Sequence, residues 1–131
     1  MYFIEDGNEE NNTFVGNLGL TALQGQLLPS DSAPAIFWVT NPNNHFINNA
    51  GGGAAQGMWL AFGTRPFGSA LGTNLDLQML PLGIHFNNTM HSCTGSGYFA
   101  DHGPDQNGNT GDGCWYFPRD VNYNDSTYGK N

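Results

Sequence analysis

Cations are almost missing from this chain: lysine and arginine together number 3 in 131 residues, against 11 aspartates and glutamates, for a formal charge of −8. Tracking a nucleic-acid backbone takes several cations on one face, so nucleic-acid partners are excluded. The same deficit excludes attraction to an anionic membrane surface. Charge of either sign is scarce, at 11% of residues, where globular chains average about 25%. No apolar stretch approaches the ~20 residues of a membrane span, and no basic region followed by an apolar one stands at the N-terminus. The segment is expected to make no membrane contact, and any secretory signal to lie on a longer precursor.

Strong helix formers are also in short supply. The 19 glycines, 7 prolines and many asparagines favour turns, while 13% aromatic content is too high for a disordered chain. Stacked strands and turns fit this balance better than a helical domain. Cysteine is limited to Cys93 and Cys114. A bridge between them would close a Gly/Asn-rich loop of about twenty residues and contribute roughly 3 kcal/mol in the chain-entropy model. Two unrelated thiols are the alternative. The secretory route, which would favour the bridge, is suggested by three glycosylation sequons, at Asn11, Asn87 and Asn124.

What the chain has instead is a recurring phrase. "NNTFVGNLGL" begins at Asn11, "NNHFINNAGGG" at Asn43 and "GIHFNNTMHS" at Gly83, each setting a phenylalanine among asparagines and small residues. The pattern is that of one supersecondary unit repeated, with Phe14, Phe46 and Phe86 expected to stack. Spacing between these phenylalanines is 32 and then 40 positions, so the surplus residues must leave the coil as loops. Strands are expected at "MYFI", along Phe14 to Leu20, at "AIFWVT", "HFIN" and Gly57 to Phe62, and again at Gly97 to Ala100. The run "NAGGGAAQG" reads as a tight corner. Excursions are expected at about 24–35 and 64–74, and 101–114 is the most loop-like stretch.

The expected fold is therefore all-β, a parallel β-helix, or solenoid, forming a single partial segment over 1–131. Each coil would pair with its neighbours at about 4.8 Å and stack like side chains into ladders. An end coil without a neighbour exposes backbone N–H and C=O groups. The expected partners are neighbouring β-helix coils of the same or another chain, in a longer polypeptide or a filament.

The phrases "YFIEDGNEENNTFVGNLGL", "GQLLPSDSAPAIFWVTNPNNHFINNAGGGAAQGMWLAF", "RPFGSA" and "LPLGIHFNNTMHSCTGSGYF" resemble the β-helix region shared by fibrocystin-like receptors and the cell-migration-inducing and transmembrane cell-surface hyaluronidases. The resemblance covers about residues 2 to 100, and "FWVTNPNNHFINNAGGG" is its most specific part. It implies a right-handed helix in a large extracellular or ciliary-surface glycoprotein. Function divides within the family: some members are associated with hyaluronan breakdown, and the fibrocystin-like ones are known chiefly as surface receptors.

Polysaccharide-cleaving β-helices use paired acids, so Glu5, Asp6, Asp31, Asp76, Asp101 and Asp120 are the acids to weigh, with Asp101 beside His102 the most catalytic-looking pair. Solvated turn acids are the competing reading. His85, His91, His102 and Cys93 match no zinc signature in spacing. Asp105, Asn107, Asn109 and Asp112 resemble a calcium loop with oxygen ligands at alternate positions, but Thr110 stands at the invariant glycine and Tyr116 at the closing glutamate. Calcium is thus a possible cofactor, weighed against a plain Gly/Asn turn. Trp115 and Tyr116 are candidates for stacking on extracellular glycans, whereas Trp38 and Trp59 sit in apolar strands and read as core. The favoured function is a non-catalytic structural or adhesive segment of an extracellular, N-glycosylated cell-surface protein. The alternative is part of a hyaluronan-like glycan-depolymerising hydrolase.

Overall fold

The computed structural model describes residues 1–25, 33–66 and 68–100, together with the backbone alone at Asp101. Ten short strands are present in this range: β1 Tyr2–Ile4, β2 Thr13–Val15, β3 Leu18–Leu20, β4 Ala35–Val39, β5 His45–Ile47, β6 Ala50–Gly52, β7 Gln56–Ala61, β8 His85–Phe86, β9 Thr89–His91 and β10 Tyr98–Asp101. They form three sheets, ordered β1-β4-β7-β10, β2-β5-β8 and β3-β6-β9, and every pairing is parallel. Successive strands thus visit the three sheets in rotation. The result is a parallel β-helix of three coils with the first strand of a fourth.

Two corners per coil turn in the left-handed region. Gly16, Asn48 and Asn87 occupy one, with φ of 66°, 55° and 52°; Thr21, Gly53 and Ser92 occupy the other, at 58°, 73° and 55°. Glycine adopts this conformation without steric penalty and asparagine tolerates it, so the abundance of both residues follows from the corner geometry. These corners divide the expected strand along Phe14 to Leu20 into two, β2 and β3. They also convert "AGG" from the expected corner into strand β6, whose missing side chains have a packing reason. A Cβ on Gly51 would stand 2.8 Å from the Met90 sulfur and 3.0 Å from the Ile36 methyl.

Side-chain amides run up the stack beside the backbone. Asn49 Oδ1 accepts from both Asn17 N and Asn17 Nδ2 at 2.9 Å, and Asn88 Oδ1 accepts in the same way from Asn49 N at 3.0 Å and Nδ2 at 2.9 Å. Each asparagine also donates downward, Asn49 Nδ2 to Phe14 O and Asn88 Nδ2 to Phe46 O. A second ladder joins Asn12 N and Nδ2 to Asn44 Oδ1 at 2.9 and 3.0 Å. It ends there because Gly83 takes the next rung: a Cβ on Gly83 would collide with the Asn44 backbone. Asn41, Asn44 and Asn49 are almost wholly buried, and the buried Asn41 and Thr40 side chains cap the carbonyls of Gly7 and Ile4.

Apolar stacking fills the coil interior. Phe14 lies on Phe46 with ring centroids 4.8 Å apart and planes 4° apart, and Tyr2 lies on Phe37 at 4.8 Å and 9°. Ile4, Val39, Met58, Leu60 and Phe62 complete this core. Phe86 does not join the expected column. It pairs with Ile47, points outward and is 64% exposed, while His85 takes the place above Phe46. The asparagine rungs are 39 positions apart, one fewer than Phe46 to Phe86, so satisfying the amides shifts the phenylalanine to the other face. A one-residue slip exchanges the two faces of a strand.

Replacing Asn49 by alanine strips the bonds that satisfy Asn17 N and Phe14 O, and unpaired buried groups cost about 1–3 kcal/mol each. Asn49→Ala is expected to lower unfolding free energy by about 3 kcal/mol in urea denaturation. Asn43→Ala, whose side chain reaches Glu10 in an exposed contact at 3.2 Å, should cost less than about 1 kcal/mol.

Candidate functional site

Two acids of the first turn, Asp6 and Glu9, are engaged in holding backbone. Glu9 carboxylate oxygens accept from Asp6 N at 3.2 and 3.1 Å and from Gly7 N at 3.0 Å. Asp6 in turn accepts from Ser69 N at 3.1 Å and from the Ser69 hydroxyl. Ser69 belongs to a 3-10 turn at Gly68–Ala70, in the long connection between β7 and β8. A second such turn, Leu77–Met79, is capped by Asp76, whose Oδ1 accepts from Gln78 N at 3.0 Å. This region therefore does not yet resume the coil, which restarts at β8. Leu77 is fully buried, and a Cβ on Gly7 would meet its methyl at 2.7 Å. The connection thus folds back over the first coil, and Asp6 and Gly7 are where it is pinned.

An aromatic column follows the outer face of the four-stranded sheet. Phe3, Trp38, Trp59 and Phe99 occupy matching register positions on β1, β4, β7 and β10. Their ring centroids are 5.9, 4.7 and 5.2 Å apart, the first pair stacked and the others edge-on. Trp38 and Trp59 pack with Ala33, Ala35 and Ala61 in a cluster separate from the coil interior. Trp59 is core as expected, at 2% exposure, and Trp38 is half-buried beside it; strand alternation turns both away from Phe37 and Met58, so their core lies on the opposite face of the sheet.

The histidines fall in different places. His85, on β8, packs on Phe46 at 5.2 Å with the rings tilted by 43°, and its Nε2 is buried with no hydrogen-bond partner among the described residues. Burial first, and the neighbouring His45 second, lower its pKa from 6.5 to about 4. His45 Nδ1 accepts from Ile84 N at 2.9 Å. His91, on β9, contacts the Ser92 hydroxyl at 2.9 Å, and the half-buried Cys93 thiol donates to His91 O at 3.5 Å. Among the described residues, no group of three or more His, Cys, Asp or Glu side chains is placed to hold a metal.

Comparison with known proteins agrees with this geometry. Residues 1–98 match the family model described as CEMIP beta-helix. The chain belongs to the CEMIP β-helix family. Similar proteins include human "Cell surface hyaluronidase CEMIP2", 35% identical over 130 residues covering 78% of this chain and 9% of that protein. Human "Fibrocystin-L" is 41% identical over 111 residues, covering 82% of this chain and 3% of that protein. Human "Cell migration-inducing and hyaluronan-binding protein" is 35% identical over 130 residues, covering 78% of this chain and 10% of that protein. The chain thus spans a tenth or less of the length of these relatives. No helix among its described residues is long and apolar enough to cross a membrane.

Against this family background the candidates from sequence divide unevenly. Asn11 and Asn87 are exposed and both adopt left-handed backbone, with φ of 59° and 52°. Asp101 ends β10, its backbone opposite Ala61. His102, Asp105, Asn107, Asn109, Asp112, Cys114, Trp115, Tyr116 and Asn124 lie outside the described residues, as do Asp31 and Asp120. Sequence reading missed the outer aromatic column, although the pairing of Trp38 with Trp59 could have been found by aligning "AIFWV" with "QGMWLA". It also missed His85 as the third member of the Phe14–Phe46 column.

His85 gives the fold a pH dependence whose sign follows from its lowered pKa. Between about pH 6.5 and 4 the unfolded chain takes up a proton that the folded chain refuses, so stability is full above this window and declines as pH falls through it. The whole interval corresponds to at most about 3 kcal/mol. His85→Phe should flatten the stability profile between pH 7 and 4 and extend the Phe14–Phe46 stack, as read by urea midpoints at each pH.

Proposed function

We propose that the segment is a non-catalytic structural and adhesive part of an extracellular cell-surface β-helix protein, and that its working surface is the stack itself. The observation that carries this reading is the open asparagine ladder at the β1–β2–β3 end. In every higher rung the asparagine Oδ1 accepts two hydrogen bonds from the rung below. Oδ1 of Asn12 and of Asn17, on the lowest rung, has no such donor among the described residues. A further coil bearing asparagines at the matching positions, from the same or another chain, would supply those donors and pair with β1, β2 and β3, which end their sheets among the described residues.

The behaviour of the acids supports the same reading. Glycoside hydrolysis takes two carboxyl groups flanking one bond, whereas Asp6, Glu9, Glu10 and Asp76 are each committed to backbone or amide partners. The names of the hyaluronidase relatives favour a second reading, in which the segment belongs to a hyaluronan-depolymerising ectodomain and Asp101 at the end of β10 contributes an acid.

Incubating the full-length protein with high-molecular-weight hyaluronan and following polymer length separates the two. Chain length is expected to be unaffected by Asp101→Asn, whether or not the parent shortens the polymer. Shortening that Asp101→Asn abolishes, with urea stability preserved, would assign chemistry to this segment.

A further inference from the structure

Four large apolar side chains stand in the open near one corner of the coil, with a fifth half-buried among them. Val15 is 56% exposed, Leu18 61%, Leu20 62% and Phe86 64%, while Ile47, between Val15 and Phe86 in the same register column, is half-buried. Val15, Ile47 and Phe86 form the last outward column of one sheet. Leu18 and Leu20 face outward on the next, beyond the corner built by Gly16, Asn48 and Asn87. An apolar surface of this kind on a soluble protein calls for a cover.

The corner between these columns carries the sequon Asn87-Asn88-Thr89. Its three residues have separate tasks. Asn88 faces inward and continues the amide ladder, whereas Asn87 and Thr89 are both exposed. The Asn87 side chain spends one amide hydrogen on Asn48 Oδ1 at 2.8 Å, which leaves its second hydrogen position for a substituent. Left-handed backbone at Asn87 aims the following chain around the corner, so the side chain projects from the edge of the coil rather than from a sheet face. Phe86 is the preceding residue, its Cα about 3.8 Å away.

We propose that Asn87 carries an N-linked glycan and that its first sugars lie over Phe86 and the Val15–Ile47 column, so that attached carbohydrate rather than protein covers this apolar patch. The step joins the Asn87 amide nitrogen to the anomeric carbon of a lipid-linked oligosaccharide, with the lipid diphosphate leaving and the displaced amide proton passing to the transferase base. The proposal rests on the extracellular reading, because the transfer takes place only on the secretory route. Sparse surface charge makes such a coat useful, since few ionised groups are present to keep the protein apart from its neighbours.

The test uses the full-length protein secreted from animal cells, with peptide mapping before and after enzymatic removal of N-glycans in heavy-oxygen water. Label is expected at Asn87. Thr89→Ala should abolish it without altering the corner residue, and should raise binding of an apolar dye at least about twofold; Thr89→Ser should keep both label and low dye binding. Asn87 unlabelled while Asn11 is labelled would overturn the inference and leave the extracellular reading standing. Absence of label at both would count against both. Label at Asn87 with dye binding equal in wild type and Thr89→Ala would overturn the covering role.

Discussion

Parallel coils can stack only if each residue tolerates a near-copy of itself about 4.8 Å above and below. Asparagine meets that constraint because its amide both donates and accepts along the stack, and it can also close a left-handed corner. Asn48 and Asn87 close left-handed corners, and beside them Asn17, Asn49 and Asn88 bond along the stack. Their side chains satisfy backbone groups that the bend between sheets removes from the strand ladders. Spacing between rungs may then vary, at 32 and 39 positions, provided the asparagines return to register.

Variation in rung length is absorbed at places that the coil can spare. Phe37 pairs with Met58, 21 positions on, and this turn carries no excursion. The longer turns insert residues between β3 and β4 and between β7 and β8. The second insertion is anchored rather than loose: Asp6 holds Ser69, Gly7 makes room for Leu77, and Gln78 Nε2 donates to Phe62 O. Asp6, one of the acids weighed for catalysis, is thus engaged in fastening a loop.

Much of this was legible in the sequence. The asparagine–phenylalanine phrase gave away the repeat, and β4, β5, β7 and β10 follow from β-branched and aromatic runs. The third rung was misread because phenylalanine is the conspicuous residue and the phrase was aligned on it. Amide satisfaction outranks aromatic matching there, since a misplaced Asn88 would leave buried donors unpaired, while an outward Phe86 merely stays exposed. The inward or outward sense of Trp38 and Trp59 was equally hidden. An apolar strand buried on both faces shows no alternation.

Scarcity of charge, the first oddity of the sequence, then follows from the architecture. Two like unit charges on successive rungs, 4.8 Å apart, repel by about 1 kcal/mol in water and by roughly 3 kcal/mol at a half-buried site. A solenoid built on stacked identical positions therefore selects against charge in its columns. It keeps acids for turns, where Asp6, Glu9, Glu10 and Asp76 reside, and fills columns with amides and rings. His45 and His85 show the limit of tolerance: two ionisable rings on adjoining rungs coexist because burial and mutual repulsion keep His85 neutral. Solubility must then come from groups that stack without repulsion or from groups added after synthesis. The same register that excludes lysine and arginine from the columns makes the exposed corners the natural sites for whatever the surface still needs.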